Sequence, residues 1–148
     1  MAYHLTHPLH KIEASSPSAV FKAELDVKNH IIKSVSGSVD VTTFNSGNSN
    51  RDSHAMEVID AIDYPDASFS STSITQTGDS IHLTGRMMFH GVTNDVYING
   101  TTQWSGNSLT VNGNYSVSLT GYKIDRPSLL LIPVEDALTF DFTAEFDF

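Results

Sequence analysis

The chain has no cysteine, one tryptophan and five prolines, and it carries only 8 lysines and arginines against 17 aspartates and glutamates in 148 residues. Each shortage excludes something. Without cysteine there is no disulfide to staple the fold, so stability has to come from a packed core, and the redox compartment stays undefined. The formal charge of -9 creates a field that repels phosphate backbones and anionic lipid surfaces, which removes nucleic acid from the expected partners. The longest greasy cluster, residues 129–132, holds four side chains, far short of the roughly 18 that span a membrane. Residues 1–10 lack a basic segment followed by an apolar one, so the chain as written carries no export signal. That makes the cytoplasm the expected compartment, or the periplasm if a signal was removed from a longer precursor. The phosphate-loop patterns GxGxxG and GxxxxGKS/T and the nucleophile elbow GxSxG are all missing.

What the chain has instead is alternation. Phe21, Ala23, Leu25 and Val27 alternate with Lys22, Glu24 and Asp26, and Val35, Gly37, Val39 and Val41 alternate with serines and Asp40. The pattern returns in Ile81, Leu83, Gly85, Met87 and Phe89, then in Leu109, Val111, Gly113, Tyr115, Val117 and Leu119, and last in Leu138, Phe140, Phe142, Ala144, Phe146 and Phe148. A period of two marks strands with one dry and one wet face, as in an antiparallel sheet. Turn residues punctuate them at Gly78-Asp79, His90-Gly91 and Gly106-Asn107. A last strand with aromatics along one face is not left as a free edge, so it is expected to pair back onto an early strand. The expected fold is therefore all-β: one domain over residues 1–148, a closed antiparallel lipocalin-like barrel of about eight strands.

One stretch breaks the pattern. Ser49 followed by Asp52 reads as a capping box, Met56, Ile59 and Ile62 recur at helical spacing, and Pro65 ends the run. This predicts one helix over about 50–62 whose apolar face seals an end of the barrel. A short helical turn is expected near 127–132, between Pro127 and Pro133.

The candidate ligand-binding residues are the inward series Phe21, Leu25, Leu83, Met87, Phe89, Tyr115, Val117, Phe140 and Phe142, with Met56 and Ile59 from the helix. Burying hydrocarbon gains about 0.8 kcal/mol per CH₂ whether the partner is a side chain or a lipid, so the pattern alone does not separate a filled core from a lined cavity. Small inward residues at Ala23, Gly37, Gly85 and Gly113 favour a cavity, since they leave volume unfilled; the alternative makes them barrel corners.

Other polar residues take structural readings. His4, His7 and His10 read as an exposed N-terminal strand rather than a metal site. Arg51, Asp52 and His54 read as caps and braces rather than a catalytic trio. His82 and His90 lie roughly 26 Å apart along a strand, too far to share a metal, and read as exposed. Trp104 suits packing at a barrel rim. No catalytic residue, metal or cofactor is assigned.

The run Asn50-Arg51-Asp52-Ser53-His54-Ala55-Met56, then Tyr64-Pro65 and Phe69, then Thr84-Gly85 and His90-Gly91-Val92-Thr93, resembles the YceI-like family of bacterial lipocalin-like proteins. Residues 123–134 look like the family's closing segment, and the likeness covers roughly 19–148. It departs at the start, where Pro17-Ser18-Ala19 stands in place of D-x-x-H-S. The resemblance implies an extended antiparallel barrel holding one long amphiphile, a polyisoprenoid in the best-known members, with no enzymatic chemistry and with homodimers among its members. The expected function is non-enzymatic binding, storage or transport of a long-chain apolar or amphiphilic molecule, isoprenoid or fatty-acyl in type. The alternative is a filled-barrel structural or protein-interaction module.

Overall fold

Side chains that alternate between oil and water leave each segment one pleated face to bury, and strands satisfy this by pairing side by side. In the computed structural model the alternating segments form one antiparallel sheet. The structure describes residues 1–7, 10–129 and 132–148, with side chains apart from those of residues 7, 10–13, 128 and 129. The strands are β1 (Ala2–His7), β2 (His10–Ser15), β3 (Val20–Asp26), β4 (Ile31–Asp40), β5 (Asp66–Thr77), β6 (Ser80–Phe89), β7 (Val92–Ser105), β8 (Ser108–Ser118), β9 (Ser128–Leu129), β10 (Ile132–Pro133) and β11 (Ala137–Asp147). Among the described residues one α-helix, α1 (Ser49–Val58), lies between β4 and β5, after a short 3-10 turn at Val41–Thr43.

Nine strands make up the main sheet, in the order β2-β1-β11-β8-β7-β6-β5-β4-β3. The count exceeds the expected eight because β1 and β2 form a hairpin where the sequence suggests one polar strand. Tyr3 and Leu5 pack against the core, while His4 meets Asp141 at 2.6 Å on the outside. The last strand is not a free edge, since β11 lies between β8 and β1.

The sheet is strongly curled into a half-barrel. Its edge strands β2 and β3 share no ladder among the described residues. Ser15 and Asn45 exchange two backbone hydrogen bonds, of 3.1 and 2.8 Å, which tie the end of β2 to the segment after β4. Two bulges add twist. Lys33 is the extra residue of β4 opposite β3, and Thr72 is that of β5 opposite β6. The bulge at Thr72 explains how Phe69 and Ile74, an odd number of residues apart, both pack against the core.

The helical turn expected near 127–132 is corrected. Residues 130 and 131 lie outside those described, but on either side of them β9 and β10 pair antiparallel, and Val134 N–H donates to the Pro127 carbonyl at 2.8 Å. Proline has no backbone N–H to donate, and its ring pushes the residue before it out of the helical region, which suits the extended backbone of Ile132 ahead of Pro133. The tight helical turn falls earlier, at Thr120–Tyr122, where the Asp136 carboxylate accepts from Thr120 N–H at 2.9 Å and from the Ser118 hydroxyl.

The space a side chain would take at the inward glycines is occupied by aromatic rings. A Cβ on Gly113 would lie 2.5 Å from Phe142 Cζ, one on Gly85 2.4 Å from the Phe69 ring, and one on Gly37 3.1 Å from the Phe21 ring. Phe142 pairs directly with Gly113, and Phe21 with Gly37. Each ring folds over the bare backbone of a neighbouring strand, a device that lets a sheet bend sharply without a void. The rings then stack into a column: Phe21 on Phe142 at 5.4 Å, Phe142 against Tyr115 at 6.4 Å, and Tyr115 on Phe140 at 5.1 Å. At the β3–β4 turn, His30 lies flat on Trp104, 4.5 Å away with 3° between planes, and Phe148 lies beyond it.

Replacing Gly113 by Ala should destabilise the protein by about 1–3 kcal/mol, because the new Cβ would lie 2.5 Å from the Phe142 ring and 3.2 Å from Ile98, and packed groups would have to shift. Urea melts of Gly113→Ala, Phe142→Leu and the double variant check this. The double variant should cost clearly less than the sum of the singles, and simple additivity would refute the notch.

Candidate functional site

The helix covers one end of the curled sheet, and its limits are set locally. Asn48 rather than Ser49 is the cap: its side-chain oxygen accepts from Arg51 N–H at 3.0 Å. The Asp52 carboxylate reaches back to Ser46 N–H at 3.1 and 3.2 Å, two residues before the cap, so the expected box of Ser49 and Asp52 is replaced by a brace on the preceding loop. The helix ends at Val58 rather than near 62, because Asp60 takes a left-handed φ of 51° and its carbonyl collects Asp63 and Tyr64 N–H. Ile62 consequently leaves the apolar face and is 99% exposed, while Ala61 turns inward and is buried.

Beneath α1 is a cavity of about 330 Å³. Ala55, Met56, Val58 and Ile59 roof it, Leu5, Val39, Val41 and Phe44 wall it, and Met87, Phe89 and Phe140 border it from the sheet. Leu119, Ile124, Pro127, Val134 and Leu138 complete the lining. This falls in the 300–1,000 Å³ range of small-molecule sites, with the usual apolar surface and a few polar groups. The polar groups are Tyr3, Arg51 and His54. The His54 side chain is 65% exposed, so the cavity meets water along that edge. Burial, and after it the charge of Asp52, raises the Tyr3 phenol above its usual range, with Arg51 opposing.

A second cavity of about 50 Å³ is bordered by Phe21, Phe69, Leu83, Met87, Tyr115 and Phe142. The expected ligand-binding residues thus divide. Met56, Ile59, Met87, Phe89 and Phe140 border the large cavity; Phe21, Leu83, Tyr115, Phe142 and again Met87 border the small one. Leu25 and Val117 border neither: Leu25 packs against the core and Val117 is buried within it. Sequence reasoning missed Phe44, Ile124 and Val134, which come from irregular connections where no periodicity marks an inward residue.

The polar residues around the helix act as masonry. Both Asp52 oxygens are engaged by Ser46 N–H, and His54 lies 4.0 Å from Glu57, so Arg51, Asp52 and His54 form no acid–imidazole relay. His82 bonds Asn99 at 2.6 Å on the outer face. The His7 and His10 side chains lie outside those described.

His90 is not the exposed residue the sequence suggests. Its side chain is 12% exposed, with Nδ1 2.8 Å from the Tyr122 carbonyl and Nε2 2.9 Å from the Asp60 carboxylate. Tyr64 stands edge-on to the ring at 5.0 Å and leaves no room for a Cβ on Gly91, which together with His90 takes positive φ in the β6–β7 turn. This cluster pins the helix end to the sheet. Tyr122 is buried, its phenol donates to the Met87 carbonyl at 3.3 Å, and burial, then the Asp95 charge, pushes its pKa up to about 12.

A strongly curled antiparallel sheet with a helix roofing an apolar cavity defines an all-β half-barrel class of fold. Within it, the chain belongs to the YceI-like family, whose domain matches residues 4–146. It is 26% identical over 107 residues to Protein YceI of Escherichia coli O157:H7, covering 67% of this chain and 56% of that protein. It is 34% identical over 101 residues to a UPF0312 protein of Pseudomonas putida, covering 61% and 53%. The chain therefore spans little more than half the length of the curated relatives it matches. Among solved structures, Burkholderia cenocepacia BcnA superposes with a TM-score of 0.85 at 18% identity, covering 98% of this chain and 94% of that one. A polyisoprenoid binding domain from Saccharophagus degradans, implicated in plant cell wall breakdown, superposes with a TM-score of 0.68 at 10% identity, covering 99% and 91%. At these identities the likeness is one of fold.

His90→Ala should cost about 1–3 kcal/mol by leaving the Tyr122 carbonyl and Asp60 without their shared partner. The loss should be local: hydrogen exchange should speed up in α1 while β6, β7 and β8 keep their protection. Equal loss of protection throughout would contradict the pinning role.

Proposed function

We propose that the protein binds one long-chain apolar or amphiphilic molecule, isoprenoid or fatty-acyl in type, and stores or transports it without chemical change. The chain lies in the cavity under α1, and the polar end lies at the water-facing edge where Arg51 and His54 stand. The observation that carries this reading is the cavity itself: about 330 Å³ lined almost wholly by hydrocarbon and aromatic side chains. Packing of this quality does not leave such a volume empty without cost, and an apolar chain entering it regains roughly 0.8 kcal/mol per CH₂. The fold shared with a polyisoprenoid binding domain supports the same ligand class. In this reading the side chains that cross between β3 and β11, Phe21 on Phe142 first among them, complete the barrel where the ladder stops. A filled interior describes only the half occupied by the aromatic column.

Organic extraction of the denatured protein followed by mass spectrometry should yield a lipid-like species, or the purified protein should take up a fluorescent fatty acid or isoprenoid probe; neither occurring would sink the reading. Met56→Asp with Ile59→Asp should abolish uptake while the sheet stays folded, and a folded double variant that keeps its ligand would place the site elsewhere. Arg51→Ala should weaken binding of a fatty acid about tenfold, the worth of one hydrogen bond to a charged group, and leave its methyl ester nearly unchanged. Equal loss for acid and ester would remove Arg51 from head-group recognition.

A further inference from the structure

The two cavities share a wall made of Met1, Val39, Ala67 and Met87. Val39 and Ala67 face each other across β4 and β5, and their short side chains have no reach. Met1 is half-buried beside β1. Met87 carries the same thioether as Met1, but it is enclosed within the sheet's inner face. It is 2% exposed, and its unbranched thioether has three rotatable bonds and no strong polar atom to hold it in one rotamer. Its backbone is fixed: Phe69 and Asn94 pair with it from the two neighbouring strands, and the Tyr122 phenol donates to its carbonyl. What can move at this point of the wall is the side chain. Beyond it the small cavity runs past the stacked rings of Phe21 and Phe142 to Ala144 and Phe146 of β11.

We infer that the Met87 side chain is a displaceable partition that sets the length of chain this protein accepts. The inference rests on the carrier reading above and adds to it the residue that limits length. With Met87 in place, a chain fills the large cavity alone. With Met87 swung aside, the small cavity joins it and gives a few methylenes more, and the far end of the small cavity is the final stop. Within the large cavity each added methylene should raise affinity about fourfold. Once the chain end reaches Met87 the gain per methylene falls, because part of it is spent displacing a packed side chain, and when the small cavity is full it vanishes.

The test is competition of saturated fatty acids of increasing length against a fluorescent fatty acid, on the wild-type chain, Met87→Ala and Met87→Phe, with circular dichroism confirming that each is folded. Wild type should show affinity climbing with length and then breaking. Met87→Ala should move the break to longer acids and improve the longest by on the order of tenfold, the equivalent of about two methylenes. Met87→Phe, stiffer and bulkier, should end the climb at the break or before it while short acids still bind. The same break in all three folded proteins overturns the partition. If Met87→Ala does not fold, Met87→Phe decides alone, an unchanged profile counting against the proposal. Binding that follows length and shifts with residue 87 supports both this inference and the carrier reading. A wild-type break that ignores residue 87 overturns the inference and leaves the carrier reading standing, whereas no binding at any length overturns both.

Discussion

The contact of Phe142 with Gly113 is the one on which the interior depends. Because Gly113 has no Cβ, the ring of the opposite residue lies down on the backbone of β8 instead of standing up into the middle of the sheet. From there it stacks on Phe21, which belongs to the strand at the far edge of the sheet, and so brings β3 towards β11 although no ladder joins them. Gly37 with Phe21 and Gly85 with Phe69 repeat the arrangement. Glycine gives the curl and phenylalanine fills the space the curl would open. One half of the interior is largely filled by this means and keeps a cavity of only about 50 Å³, which leaves the larger volume of about 330 Å³ beneath the helix.

The helix end is built on a different principle. Its apolar side chains supply a roof with no fully buried residue, so little hydrophobic gain anchors it from within. Polar contacts do that work: Asn48 and Asp52 hold the start, and His90, held between Asp60 and the Tyr122 carbonyl, holds the finish. A roof tied at its two ends and resting on a cavity is suited to opening for a ligand while the sheet below stays intact. The same Tyr122 whose carbonyl meets His90 also braces the backbone at Met87 with its phenol, so the tie of the helix and the wall between the cavities meet on one buried residue.

Much of this was legible in the sequence, and the failures are informative. The strands were legible because pleat geometry writes itself directly into a period of two; β6, β8 and β11 follow their alternation almost residue by residue. The β1–β2 pair was not, since Tyr3, Leu5 and Ala14, its described inward residues, are too few to make a pattern. The helix cap was misplaced by one residue because Asn48 and Ser49 are both good caps, and only the folded backbone decides between them. Ile62 was lost to the face because helical spacing does not reveal where Asp60 turns the chain. The glycines were misread for a deeper reason: a sequence shows which residues lack side chains, but not which neighbour fills the space. His90 looked exposed because its partners lie 30 and 32 residues away. The cavity's irregular walls, Phe44, Ile124 and Val134, belong to the same class of long-range fact.

The central claim is that an apolar chain lies between α1 and the Met87–Phe140 surface of the sheet. The most direct measurement is a crystal structure of the protein loaded with a fatty acid brominated at its methyl end, with the bromine located by anomalous scattering. The account predicts a single peak inside the cavity, in contact with Met87 or Phe140, with the carboxylate towards Arg51 and His54. A bromine on the outer face of the sheet, or an ordered chain whose methyl end points out to water past His54, would contradict it.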